Sequence, residues 1–135
     1  MLKKGFTLLE VMIVVIIIGV LAALALPNYI TALEKGRSGE AATNVGAIRT
    51  AIDRYWYQNG TCPVITNLDI DDPNNQANRL YNYYVADDGT DASTRKFTVT
   101  AARTVGTTGY WVKWTQTDNN TGKLTRSANL GGPTS

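Results

Sequence analysis

The sequence predicts an α+β fold in which one long N-terminal helix packs on a C-terminal antiparallel meander of about four β-strands. Three observations carry this expectation. Residues 6–26 form an apolar run interrupted only by Thr7, Glu10 and Gly19. A second stretch repeats apolar residues at spacings of three and four, the mark of a helix with one covered face. Beyond residue 80 come four short segments rich in β-branched and aromatic residues, separated by clusters of Gly, Asp, Asn and Thr.

The first element follows a short basic leader, Met1-Leu2-Lys3-Lys4-Gly5. At about 1.5 Å of rise per residue, the run that follows is about 31 Å long as a helix, the hydrocarbon thickness of a bilayer. Lys3 and Lys4 precede it directly, so the positive-inside bias keeps the N-terminus cytoplasmic and sends residues from about Asn28 outward. Ala23-Leu24-Ala25 mimics the small-residue site of an ordinary secretory signal, yet the sequence beyond it continues toward another helical pattern. Glu10 is the anomaly in this run, because a lone carboxylate in an apolar span is costly and calls for a cationic partner. A cut between Gly5 and Phe6 would create that partner, an ammonium at Phe6 one helical turn from Glu10 or against the same group of a neighbouring copy.

The string Lys4-Gly5-Phe6-Thr7-Leu8-Leu9-Glu10, with Gly19 and then Pro27 behind it, resembles the class III signal of type IV prepilins and type II secretion pseudopilins. The resemblance is close over residues 1–63 and general beyond. It implies that prepilin peptidase removes a cytoplasmic leader, residues 1–5, and methylates the new N-terminal Phe6, and that Glu10 is the assembly glutamate. It also implies the pilin fold, an inner-membrane assembly platform as partner, and self-association through the N-terminal helices into a helical homopolymer. On this reading the chain resides in the inner membrane before assembly and in an extracellular filament afterwards. The expected function is that of a structural subunit of a type IV pilus. A major pseudopilin of a type II secretion system is the alternative, and a single-pass anchored binding domain that never polymerises is a third reading.

The helix is expected to run on from this transmembrane half, residues 6–27, through an amphipathic half, residues 28–59, about 80 Å in all at 1.5 Å per residue. Ala41, Val45, Ile48, Ile52 and Tyr55 form the stripe, with Arg49, Asp53 and Arg54 between them. Pro27 lacks a backbone donor and Gly19 lowers helix propensity, so a kink or loosening is expected there, with added flexibility at Gly36 and Gly39. Asn59-Gly60 is a fitting stop.

Residues 60–79 hold Pro63, Pro73 and Asp69-Ile70-Asp71-Asp72, and read as the loop from helix to sheet. Residues 80–135 are expected to form the head, with strands at 80–86, 96–103, 110–117 and 123–128 and a loose tail from residue 129. One sheet face should bury Val85, Phe97, Val99, Tyr110 or Trp111, and Leu124 against the helix stripe.

Composition narrows the chemistry. The 135 residues include no histidine, which leaves out the commonest general base and neutral metal ligand, and no enzymatic activity is expected. With 13 basic and 11 acidic residues the net charge is +2, so no nucleic-acid partner is expected, although nine tyrosines and tryptophans from Tyr55 to Trp114 offer stacking surfaces. Most of those aromatics should be core. No cofactor or metal is expected: Asp69, Asp71 and Asp72, or Asp87, Asp88 and Asp91, supply oxygens of the kind calcium takes, yet such Gly-bearing acidic stretches are usually turns. The single Cys62 cannot close an intrachain disulfide and reads as a buried, unreactive thiol.

Overall fold

The computed structural model describes residues 5–89, 94–104 and 109–132. The expected leader positions Met1 to Lys4, Asp91, the turn residues Val105 to Thr108 and the last three residues lie outside the described ones. The chain divides into two compact units, Met1–Leu33 and Glu34–Ser135. One helix, α1 (Leu8–Asn59), contributes to both.

In the first unit, α1 is long and apolar enough to cross a membrane, and its large apolar side chains are exposed, from Phe6 at 88% to Leu33 at 40%. The helical assignment is unbroken through Gly19 and Pro27. The Thr31 hydroxyl donates to the Pro27 carbonyl (3.0 Å), adding a side-chain bond next to the place where proline supplies no N–H.

In the second unit α1 ends at Asn59, where Gly60 turns left-handed (φ 70°) and donates its N–H to the Trp56 carbonyl (2.8 Å), satisfying one of the last-turn acceptors. Two short 3₁₀ turns follow in the connecting loop, at Ile65–Asn67 and Pro73–Asn75. Four strands then form one antiparallel sheet in sequence order: β1 (Tyr81–Asp87), β2 (Phe97–Arg103), β3 (Trp111–Gln116) and β4 (Gly122–Arg126). The expected α+β architecture, a long N-terminal apolar helix with a four-strand meander, is what the structure contains.

Register decides which side of each strand is covered. Tyr83 pairs with Ala101, Ala101 with Val112 and Val112 with Arg126, so this row lies on one face of the sheet and alternate residues along each strand share it. Ala41, Val45, Ile48, Ala51 and Ile52 of α1 pack against Tyr81, Tyr83, Phe97, Val99, Ala101 and Val112. Tyr55 and Val85 border that core, half-buried.

Two expectations are corrected and one open alternative is decided. Leu124 is 38% exposed, because β4 is an edge strand with a neighbour on one side only. Of the pair Tyr110 and Trp111, Tyr110 packs against the core, whereas Trp111 lies on the opposite parity and carries the Lys113 ammonium 5.3 Å from its ring centre. The tail is not loose as far as Gly132. Residues Ala128–Leu130 form a 3₁₀ turn that buries Leu130, and the Gly132 N–H donates to the Ser127 carbonyl (3.1 Å).

Charged groups inside the head meet one another, although among the described residues Glu34 Oε2, Arg95 Nε and Arg103 Nε have no hydrogen-bond partner. Glu34 accepts from Arg37 (2.6 Å) and from Arg103 (3.4 Å), and Arg103 also donates to the Leu80 carbonyl (3.0 Å). Buried Arg95 meets Asp53 at 3.3 Å and bonds Asn119 of the β3–β4 turn. Asn74 replaces a missing strand along β1: its Oδ1 accepts from the Tyr83 N–H (2.8 Å) and its Nδ2 donates to the Tyr83 carbonyl (3.0 Å). On the helix-facing side of β3 the Trp114 indole donates to Gln116 (3.0 Å), and only glycine fits at position 122, where a Cβ would lie 2.3 Å from the Trp114 ring.

Candidate assembly site

The structure brings Gly5, Phe6, Thr7 and Glu10 together at the start of α1. Thr7 caps the helix reciprocally with Glu10. The Glu10 backbone N–H donates to Thr7 Oγ1 (3.3 Å), while Glu10 Oε2 accepts from the Thr7 N–H (2.8 Å) and from the Thr7 hydroxyl (2.7 Å). This is a capping box, which satisfies backbone donors that have no partner within the helix and places a negative charge where the helix dipole favours one. Sequence reasoning treated Glu10 only as an ion-pair partner and overlooked Thr7. The signal was present, since Thr-x-x-Glu ahead of an apolar run is the spacing such a box requires.

Phe6 and Glu10 line one open groove of about 550 Å³ together with Val11, Ile13, Val14 and Val15. A polar recess at its head is lined by Gly5, Phe6, Thr7 and Glu10. Glu10, Ile13 and Val14 fall on one face of α1, so a carboxylate and β-branched side chains lie together there beside the exposed Phe6 ring. An ammonium created at the Phe6 nitrogen would stand directly before the Thr7 cap that holds Glu10. Gly19 and Pro27 lie farther along the same helix and do not join this group.

The other candidates are dispersed. Asp69 accepts from Arg54 (2.7 Å), and that bond holds its carboxyl below the usual range. Asp72 caps the Pro73–Asn75 turn through the Asn74 N–H (2.8 Å), and Asp88 accepts from the Thr98 hydroxyl. Among the described residues no three His, Cys, Asp or Glu side chains gather as a metal would need. Cys62 is half-buried, and burial first, then the nearby Asp87 and Asp88 carboxylates, push its thiol up to about 11. The aromatics divide between interior and surface: Tyr81 and Tyr83 are buried, whereas Tyr57 and Tyr84 are exposed.

Comparison with known proteins places these features. Residues 1–26 match the model of the prokaryotic N-terminal methylation motif. The chain is 32% identical to the type IV major fimbrial protein FimA of Dichelobacter nodosus, over 85% of this chain and 82% of that protein. It is 44% identical to the type II secretion system core protein G of Vibrio cholerae over 61 residues, and the match spans 45% of this chain but only 42% of that protein's length. It is 53% identical to the type IV major pilin protein PilA of Myxococcus xanthus over 49 residues, which is 36% of this chain and 22% of that one. No solved structure matches it significantly. With the methylation motif at its start, the long apolar helix and four-strand sheet behind it, and similarity to a fimbrial protein across most of both chains, this protein belongs to the type IV pilin and pseudopilin family.

Proposed function

We propose that this chain is a structural subunit that polymerises into an extracellular type IV pilus filament. Prepilin peptidase cuts between Gly5 and Phe6 on the cytoplasmic side and methylates the Phe6 nitrogen. Residues 6–27 then serve as membrane anchor and filament core, residues 28–59 as the spine of the head, residues 60–79 as the connecting loop and residues 80–135 as the sheet and tail. An assembly platform in the inner membrane receives the anchored subunit. The Phe6 ammonium of one copy and the Glu10 carboxylate of a neighbour set the register, because each is otherwise an uncompensated charge in apolar surroundings. Gly19 and Pro27 supply the bend or loosening that packing in the filament demands.

The observation that carries this reading is the likeness to a fimbrial protein over 85% of the chain, head included. The second reading, a major pseudopilin, is supported by similarity to core protein G of the type II secretion system in Vibrio cholerae and Escherichia coli, confined in each case to 61 residues. A calcium site in the head would favour that second reading.

Intact mass and N-terminal sequencing of protein from sheared surface fibres and from the membrane fraction test the proposal. The expected result is a chain beginning at N-methylated Phe6 in both fractions. A chain beginning at Met1, or cut after Ala25, and missing from fibres would overturn it.

A further inference from the structure

We infer that Glu34, Tyr81 and Arg103 form a binding site for one internal water molecule, and that this hydrated cluster makes residues 34–41 of α1 a latch that opens apart from the rest of the core. The cluster lies within the head and is independent of the filament reading.

Glu34 Oε2, Arg103 Nε and the Tyr81 hydroxyl are buried, and none of the three has a hydrogen-bond partner among the described residues. They belong to one cluster. Arg103 Nη2 lies 3.4 Å from Glu34 Oε1, and the same guanidinium stands 5.7 Å from the Tyr81 ring centre. Burial first, then the Glu34 carboxylate, raise the pKa of the Tyr81 hydroxyl, so the phenol stays a neutral donor beside that carboxylate. The side chains of Glu34 and Arg103 are 6% and 9% exposed and Tyr81 is wholly buried, which keeps bulk solvent out. Another set of unpartnered atoms, at Arg49, Asp53 and Arg95, differs in this respect, because Arg49 and Asp53 border solvent.

The partner these atoms call for has a defined chemistry. It must donate to a carboxylate oxygen and accept from a guanidinium N–H and a phenol O–H. A cation would meet Arg37 and Arg103, and an anion would meet Glu34. Water donates and accepts at once, and buried waters commonly make about three such bonds.

The helix that carries Glu34 is weakly held at this end. Its buried residues here are Glu34, Ser38 and Ala41, whereas Val45, Ile48, Ala51 and Ile52 follow. Ser38 turns its hydroxyl back to the Lys35 carbonyl (2.7 Å), so it gives the sheet no bond, and Gly36 and Gly39 weaken the helix itself. Polar groups exchange protein bonds for water bonds at little net loss, whereas buried apolar side chains lose their whole gain on exposure. Residues 34–41 therefore open first, and 45–52 only with the core.

Hydrogen exchange of the full-length chain in detergent micelles, together with its crystal structure, tests both parts. The crystal structure is expected to show one water within hydrogen-bond distance of Glu34 Oε2, Arg103 Nε and Tyr81 Oη. Direct pairing of these groups with no water between them would overturn the site. Amides of residues 36–41 are expected to exchange about tenfold faster than those of 45–52, and equal protection would overturn the latch. Tyr81→Phe removes one partner of the water and is expected to speed exchange at 36–41 about tenfold further, with 45–52 unchanged. Glu34→Leu with Arg103→Met and Tyr81→Phe makes the cluster apolar and is expected to expel the water and slow exchange at 36–41 below the wild type. Exchange there that stays equal or rises in a folded triple variant would overturn the latch. If that variant does not fold, Tyr81→Phe decides, and an unchanged rate at 36–41 overturns it.

Discussion

The two units of this molecule treat apolar residues in opposite ways. In Met1–Leu33 they are displayed: Leu8, Ile16, Leu24 and Ile30 are all more than half exposed. In Glu34–Ser135 they are enclosed, with Val45, Ile48, Ile52, Phe97 and Val99 wholly inaccessible. A helix satisfies its own backbone bonds and needs only an apolar surrounding for its side chains, whether lipid or other copies. A sheet face cannot hide without a layer upon it, so the head carries its own helix as cover. The first unit is therefore completed from outside the chain, and the second completes itself.

The largest effect that would sharpen this contrast is in the head. Phe97→Ala removes a fully buried ring and is expected to cost about 3–5 kcal/mol. Urea unfolding followed by tryptophan fluorescence in detergent would report it, and an unchanged midpoint would mean that the head does not depend on its own core. Next comes the converse. Glu10→Ala breaks the Thr7 capping box at the start of α1, outside the head, so it should leave that midpoint unmoved while fibre yield falls roughly tenfold for want of the charge that a neighbour would meet. Equal fibre yield would break the proposed distinction between the units.

Asn74→Ala is smaller. It strips both bonds from Tyr83 on the β1 edge and should destabilise the head by about 1–3 kcal/mol, with faster amide exchange at Tyr83. Unaltered exchange would mean that the clamp is ornamental. The smallest effect concerns pH. The Cys62 thiol lies at about 11 in the folded head and near 8.5 in an unfolded chain. Its contribution is fully present below about pH 8.5 and is withdrawn as pH rises through 11. Alkylation at pH 8 should accordingly be slow in the native protein and fast in urea, and equal rates would contradict the burial of that thiol.

Legibility followed the range of the interactions. The stripe Ala41, Val45, Ile48 and Ile52 could be read directly, because residues three and four apart share a face whatever lies opposite. The four strands were legible within a residue or two, since turn chemistry around Gly and Asn brackets them. Leu124 was misplaced, and the choice between Tyr110 and Trp111 stayed open, because a strand's pattern shows alternation without saying which edge ends the sheet or which parity the helix covers. At the assembly site, Gly5, Phe6 and Glu10 stood out by motif, whereas Thr7 was passed over although its spacing was visible.

What the sequence determined by itself is the part built from neighbours along the chain: the apolar span with its interrupting carboxylate, the capping spacing at Thr7, the helix stripe, the stop at Gly60 and the turns of the meander. Only the tertiary structure decided that Asn74 closes the β1 edge, that Arg95 joins Asp53 to the β3–β4 turn, and that Leu130 ties down the tail. The reason is physical. Local elements arise from periodicity and turn geometry within a few residues, while contacts such as Asn74–Tyr83 and Arg95–Asn119 join positions 9 and 24 residues apart and exist only once a single register has been chosen.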